Sequence, residues 1–83
     1  MKKIEGTYAL CKIKPQMSLP FWATHTQFLV VVRTKEAMSI LLEEQYLPPN
    51  VEGKRGLELY ELDEGEEAQG FRVSSLDKNY LVK

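Results

Sequence analysis

The chain has 83 residues, of which 43% are hydrophobic and 28% charged, and its 11 cations and 12 acids leave a formal charge of −1. A chain of that length makes one domain that buries only about 60–65% of its unfolded surface. Its near-neutral balance gives no support for nucleic-acid binding, which usually shows as a clustered basic excess, and no stretch approaches the roughly 20 apolar residues of a membrane span.

The charge is unevenly placed. Residues 1–35 hold six cations against Glu5, a net of +5, while residues 36–83 hold eleven acids against five cations, a net of −6. Such asymmetry suits a dipolar surface that pairs head to tail. The plainer expectation is a set of solvated faces that neutralise each other within one fold. Cys11 is the single cysteine, so no internal disulfide is expected, and Met1-Lys2-Lys3-Ile4-Glu5 lacks the apolar run of a secretory signal. A cytoplasmic location is the expectation that follows.

Gly6 to Lys14 alternates Tyr8, Leu10 and Lys12 against Ala9, Cys11 and Ile13, and reads as a strand with the second set in the core. A cysteine between Leu10 and Lys12 is a small hydrophobe there. Catalysis would need a base, and His25 stands fourteen residues away. Pro15 ends the strand. In the connector Gln16–Thr26, Ser18 is a candidate cap and Pro20 suits an early helical position, so one helical turn is expected around Pro20-Phe21-Trp22-Ala23. One of Phe21 and Trp22 is expected to plug the core. His25 has no second ligand near it, so no metal site is expected.

Gln27-Phe28-Leu29-Val30-Val31-Val32-Arg33-Thr34 contains five apolar residues in succession. A half-wet strand would alternate, so this run predicts a central strand covered on both faces. Beyond it, Lys35–Gln45 is rich in helix formers, with Ala37, Ile40, Leu41 and Tyr46 at helical spacing, yet Met38-Ser39-Ile40-Leu41-Leu42 also reads as a strand returning in a hairpin. Propensity alone favours the helix. Pro48-Pro49-Asn50 is a break, and Lys54-Arg55-Gly56 only faintly resembles a phosphate nest. Leu57–Leu62 predicts a strand whose inward set is Leu57, Leu59 and, after a slip, Leu62. Asp63–Gln69 is a solvated acidic loop with nothing apolar around it to raise a carboxylate pKa. Gly70–Ser75 and Tyr80–Lys83 read as two more strands about a turn at Leu76-Asp77-Lys78-Asn79.

Several of these stretches resemble the small bacterial ACT-domain-containing proteins. They are Glu5-Gly6-Thr7-Tyr8-Ala9-Leu10-Cys11-Lys12, Pro20-Phe21-Trp22, Phe28 through Val32-Arg33-Thr34, and Met38-Ser39-Ile40-Leu41, within a match over residues 5–62. The family's Gly-Trp is Gly56-Leu57 here. The resemblance implies that Met38–Leu42 is a strand, which overrules the helix. It implies one ACT-like domain over residues 1–83, α+β but mostly β, an antiparallel sheet of five or six short strands with little helix. The family's long helix has no counterpart between Leu62 and Phe71, so the domain is truncated or degenerate. Ser74 to Lys83 resembles the family's final segment, with Lys78 and Asn79 replacing Thr and Asp.

By that resemblance Ser74, Ser75 and Asp77 are the ligand-binding candidates. The implied function is a non-enzymatic regulatory module binding a small amino acid. The alternative is a protein–protein interaction domain whose ligand pocket went with the helix. No cofactor is expected. The partners expected are a small amino acid and either a second copy of the chain or another protein, with no nucleic acid and no membrane. With one wall of the site missing, the sequence predicts no stabilisation by any standard amino acid.

Overall fold

The apolar runs are extended in the structure, a computed structural model that describes residues 1–83. Six strands form one sheet: β1 (Lys2–Ile13), β2 (Leu29–Arg33), β3 (Met38–Glu43), β4 (Lys54–Leu62), β5 (Phe71–Ser75) and β6 (Lys78–Val82). The only helix is two short 3-10 turns, Phe21–His25 and Glu44–Tyr46. The strands lie in the order β2-β3-β1-β4-β6-β5, and every neighbouring pair is antiparallel. The fold is therefore mostly β, as expected, and Met38–Glu43 is a strand despite its helix-forming composition. No helix is long and apolar enough to cross a membrane.

The run 28–32 is not the central strand. β2 lies at an edge of the sheet, with Leu29, Val31 and Val32 exposed by 38%, 40% and 48%. Side-chain hydrophobicity reports how much apolar surface needs cover and not how many strands stand alongside. The double cover falls instead to β1 and β3, two of the four inner strands. Register explains how. Ala9 faces Leu42, Cys11 faces Ile40 and Ile13 faces Met38, so one face of both strands meets the first cluster, which also takes Ala23 and Leu47. Tyr8, Leu41, Leu59 and Val82 form a second cluster on the opposite face.

The 3-10 turn at Phe21–His25 covers the first cluster, with Ala23 N–H donating to the Pro20 carbonyl at 3.0 Å. Pro20 is the capping residue, with no side-chain cap, so the Ser18 cap is absent. Trp22 packs on the first cluster while Phe21 stays 77% exposed. The core plug of that pair is the tryptophan. β1 begins at Lys2, earlier than the alternation suggested. A register shift between Ile4 and Tyr8 lets it continue past Gly6, which adopts φ +100, a conformation glycine adopts readily.

No slip occurs at Leu62. The β4–β6 register runs unbroken from Leu59 opposite Val82 to Leu62 opposite Asn79. Leu62 thus points to the face away from Leu59, where it is buried along with Leu81. Gly70, at φ +148, closes over Leu81. A Cβ on Gly70 would stand 2.8 Å from Leu81 Cδ1 and 3.0 Å from the Val82 oxygen.

The sheet curls strongly. Phe28, just before β2, packs edge-on against Tyr80 of β6 with ring centroids 5.3 Å apart, and against Tyr8 at 5.7 Å. In a flat sheet the four strand spacings between β2 and β6 would hold those residues about 19 Å apart. The aromatic contact fills the interior of an incompletely closed barrel, and the two free edges, β2 and β5, become the lips of its seam.

Candidate binding cleft at the seam

The cleft follows from that curl. Its walls are Gln27–Val31 on one side and Val73–Lys78 with Tyr80 on the other, enclosing about 490 Å3. Phe28, the β2 residues, Val73, Leu76 and Tyr80 supply its apolar lining, and all its polar groups but Gln27 stand on the β5–β6 hairpin. Ser74, Ser75 and Asp77 all line this one cleft. Ser74 is partly committed, its hydroxyl donating to Asn79 Oδ1 at 2.6 Å. Ser75 ends β5, and Asp77 sits in the two-residue turn before β6.

Leu76, the other turn residue, is fully exposed and adopts φ +46, as the first position of a two-residue hairpin turn requires.

The wall opposite the hairpin was not legible in the sequence. Gln27–Val31 reaches Val73–Tyr80 only through the curl, and the signal it gave, an unbroken apolar run, pointed inward instead. Glu43 fixes the entry to this wall. Its Oε1 accepts from the Thr26 hydroxyl at 2.6 Å and from the Gln27 backbone N–H at 2.7 Å. The Thr26 hydroxyl, followed by the backbone N–H groups of Gln27 and Phe28, holds the Glu43 carboxyl below the usual range, against the opposing pull of partial burial.

A carboxylate with a depressed folded pKa contributes stability above its unfolded pKa, near 4.3, and loses it as the pH falls through the lower folded value. Stability should therefore decline below about pH 4.3, and part of that decline should vanish in Glu43→Gln. Glu58 and Glu66 are shifted the same way, Glu58 first by Tyr60 and Glu66 first by the amino terminus. They will account for the remainder. Urea midpoints of both proteins across the acid range test this, and parallel curves would remove Glu43 from the explanation.

The remaining candidate groups assemble no chemistry. Cys11 is buried to 2% exposure, and burial pushes its thiol up, opposed only by the Arg55 charge. A shallow depression outside it is lined by Lys12, Glu52, Gly53 and Lys54, with no histidine. Cys11 should resist thiol reagents in the native state, and Cys11→Ala should cost about 1–2 kcal/mol, a small cavity in a well-packed site. Fast labelling at neutral pH would contradict the inward placement. His25 packs edge-on against Phe21 at 4.7 Å, and no group of three or more His, Cys, Asp or Glu side chains comes together.

Comparison with known proteins adds a family and a fold. A family model described as an N-terminal domain matches residues 6–50. No curated protein matches the sequence. Among solved structures, protein Atu0741 from Agrobacterium tumefaciens is similar, with a TM-score of 0.79, 20% identity, and coverage of 98% of this chain and 74% of that one. At that identity the likeness is one of fold alone.

Proposed function

The chain belongs to the family whose N-terminal domain spans residues 6–50, more than half its length; from the cleft and the sequence resemblance we propose that it is a non-enzymatic, ACT-type regulatory module that holds a small amino acid in the seam cleft. The observation that carries this reading is the convergence of Ser74, Ser75 and Asp77 on the cleft opposite Gln27–Val31. In the sequence these residues lacked a facing wall, because the helix of the resembled family is missing. β2 supplies one.

The chemistry suits a zwitterion. The Asp77 carboxylate attracts an ammonium group, the Ser75 hydroxyl offers a donor to a carboxylate, and the apolar lining receives a side chain. A buried thiol without a base supports binding over catalysis. A cytoplasmic location belongs to the same proposal. The second reading, a protein–protein interaction domain, draws support from the two unpaired sheet edges.

Thermal shift against the twenty standard amino acids tests the proposal. A ligand at about one hundred times its Kd adds roughly 2.7 kcal/mol, which for a domain of this size raises Tm by more than about 10 °C. At least one amino acid should produce such a shift, and Asp77→Ala should abolish it while leaving the unliganded Tm nearly unchanged. The absence of a shift with all twenty would discard the amino-acid reading in favour of the interaction domain.

A further inference from the structure

We propose that two copies of this chain dock seam to seam, with β2 of each adding in antiparallel register to β5 of the other. This goes beyond the ligand reading and does not depend on it. It begins from backbone groups. The Thr34 N–H donates to the Ala37 carbonyl at 2.9 Å, closing the β2–β3 hairpin. Bonding alternates along an antiparallel ladder. Val32 and Val30 therefore bond to β3, while the N–H and C=O groups of Leu29, Val31 and Arg33 point outward. On the other lip the two-residue turn makes Ser75 and Lys78 a bonded pair. The same alternation leaves Arg72 and Ser74 pointing outward.

Such edges are normally blunted by lysine, proline or a covering segment. Leu29–Val32 carries no charge and no proline, and three of its four side chains are exposed, as is Phe71 at the head of β5.

Polarity selects the occupant. Because every neighbour in the six-stranded order is antiparallel, β2 and β5 run in opposite directions. One foreign strand laid in the seam would have to be parallel to one of the lips. A second copy related by a two-fold axis along the strands offers β5 to β2 and β2 to β5, antiparallel at both junctions. The closed pair uses both edges and leaves none free.

Charge selects the same register. Antiparallel alignment sets the Arg33-Thr34-Lys35 end of β2 beside the start of the neighbouring β5, which the acidic loop Asp63–Glu67 leads into. The ion pairs within one chain join the amino terminus to Asp63 and Glu66, Lys3 to Glu58, and Lys78 to Glu61. Arg33, Lys35, Glu64 and Glu67 take part in none of them. The opposite charges of the two halves of the chain, +5 and −6, are thus not neutralised internally at these places.

Sedimentation equilibrium from micromolar to millimolar protein, at low and high salt, gives the test. The wild type should reach twice the chain mass of 9.6 kDa and weaken as salt rises. Val31→Pro and Arg72→Pro each remove an N–H that the isolated fold leaves unpaired, a position where an edge strand tolerates proline. Each should be monomeric alone, and an equimolar mixture should regain dimers through its one intact β2–β5 junction. If circular dichroism shows either variant unfolded, Arg33→Glu and the double variant Glu64→Lys/Glu67→Lys replace them, with the same expectation on mixing. A monomeric wild type overturns the proposal. So does an Arg72→Pro protein that dimerises like the wild type, which would assign β2 to pair with itself. Mass that climbs without limit, or a mixture that stays monomeric, overturns it equally.

Discussion

Leu59→Ala should cost about 2–5 kcal/mol, enough to leave little folded protein if the total stability is on the order of 5 kcal/mol. Leu59 has no exposed surface and stands between Ile4 of β1 and Val82 of β6 on the concave face. Around it lie Tyr8, Leu41 and Val82, with Phe28 and Tyr80 packed on the cluster. Removing its isopropyl group would hollow the space under the Tyr8–Phe28–Tyr80 contacts that hold the sheet curled. The surrounding strands are fixed by their ladders and cannot collapse far into the space, which places the expected loss in the upper part of the range. Leu57, half-buried on the same strand and face, should be less sensitive. Urea denaturation measures both, and a Leu59→Ala loss below about 1 kcal/mol would mean that the interior of the curl is not close-packed.

Certain parts of this arrangement could be read from residue types alone. Alternation placed Ala9, Cys11 and Ile13 inward, and the prolines at 15, 48 and 49 lie outside the strands where expected. Met38–Leu42 could not be read that way. Its residues suit either state, and resemblance decided for the strand. The failure at β2 has a different origin. A run of five apolar residues states a need for cover, and here the cover is incomplete: the 3-10 turn shields the first cluster beneath it, and the second cluster takes Phe28 and Val30 but not Val32.

The candidate cleft shows the same limit. The hairpin residues Ser74, Ser75 and Asp77 lie close together in sequence, so a short segment carries them. Their partners Gln27–Val31 are some forty-five residues away. They meet through the accumulated twist of five strand pairings, a property no local pattern records. The uneven charge was legible, but its consequence was not. Only the strand order places the basic end of β2 and the acidic approach to β5 on the two lips of one seam.

Ile40→Ala should also cost about 2–5 kcal/mol, and the fluorescence of Trp22 should report it. Ile40 and Leu41 are adjacent on β3 but serve opposite faces, and Ile40 belongs to the cluster with Ala9, Cys11, Ala23, Met38, Leu42 and Leu47. It lies directly across from Cys11 on β1 and Val31 on β2, at the centre of the face that the 3-10 turn covers. That turn has few fixings of its own. Ala23 is its one fully buried side chain, and Trp22 leans on the same cluster. A five-residue turn is too short to persist without packing. A cavity beneath it should release it before the sheet melts. Trp22 emission should then shift to the red at a lower urea concentration than the loss of far-ultraviolet β signal, whereas in Leu59→Ala the two probes should move together. Coincident transitions in Ile40→Ala would show that turn and sheet unfold as one unit, with the first cluster as essential to the sheet as the second.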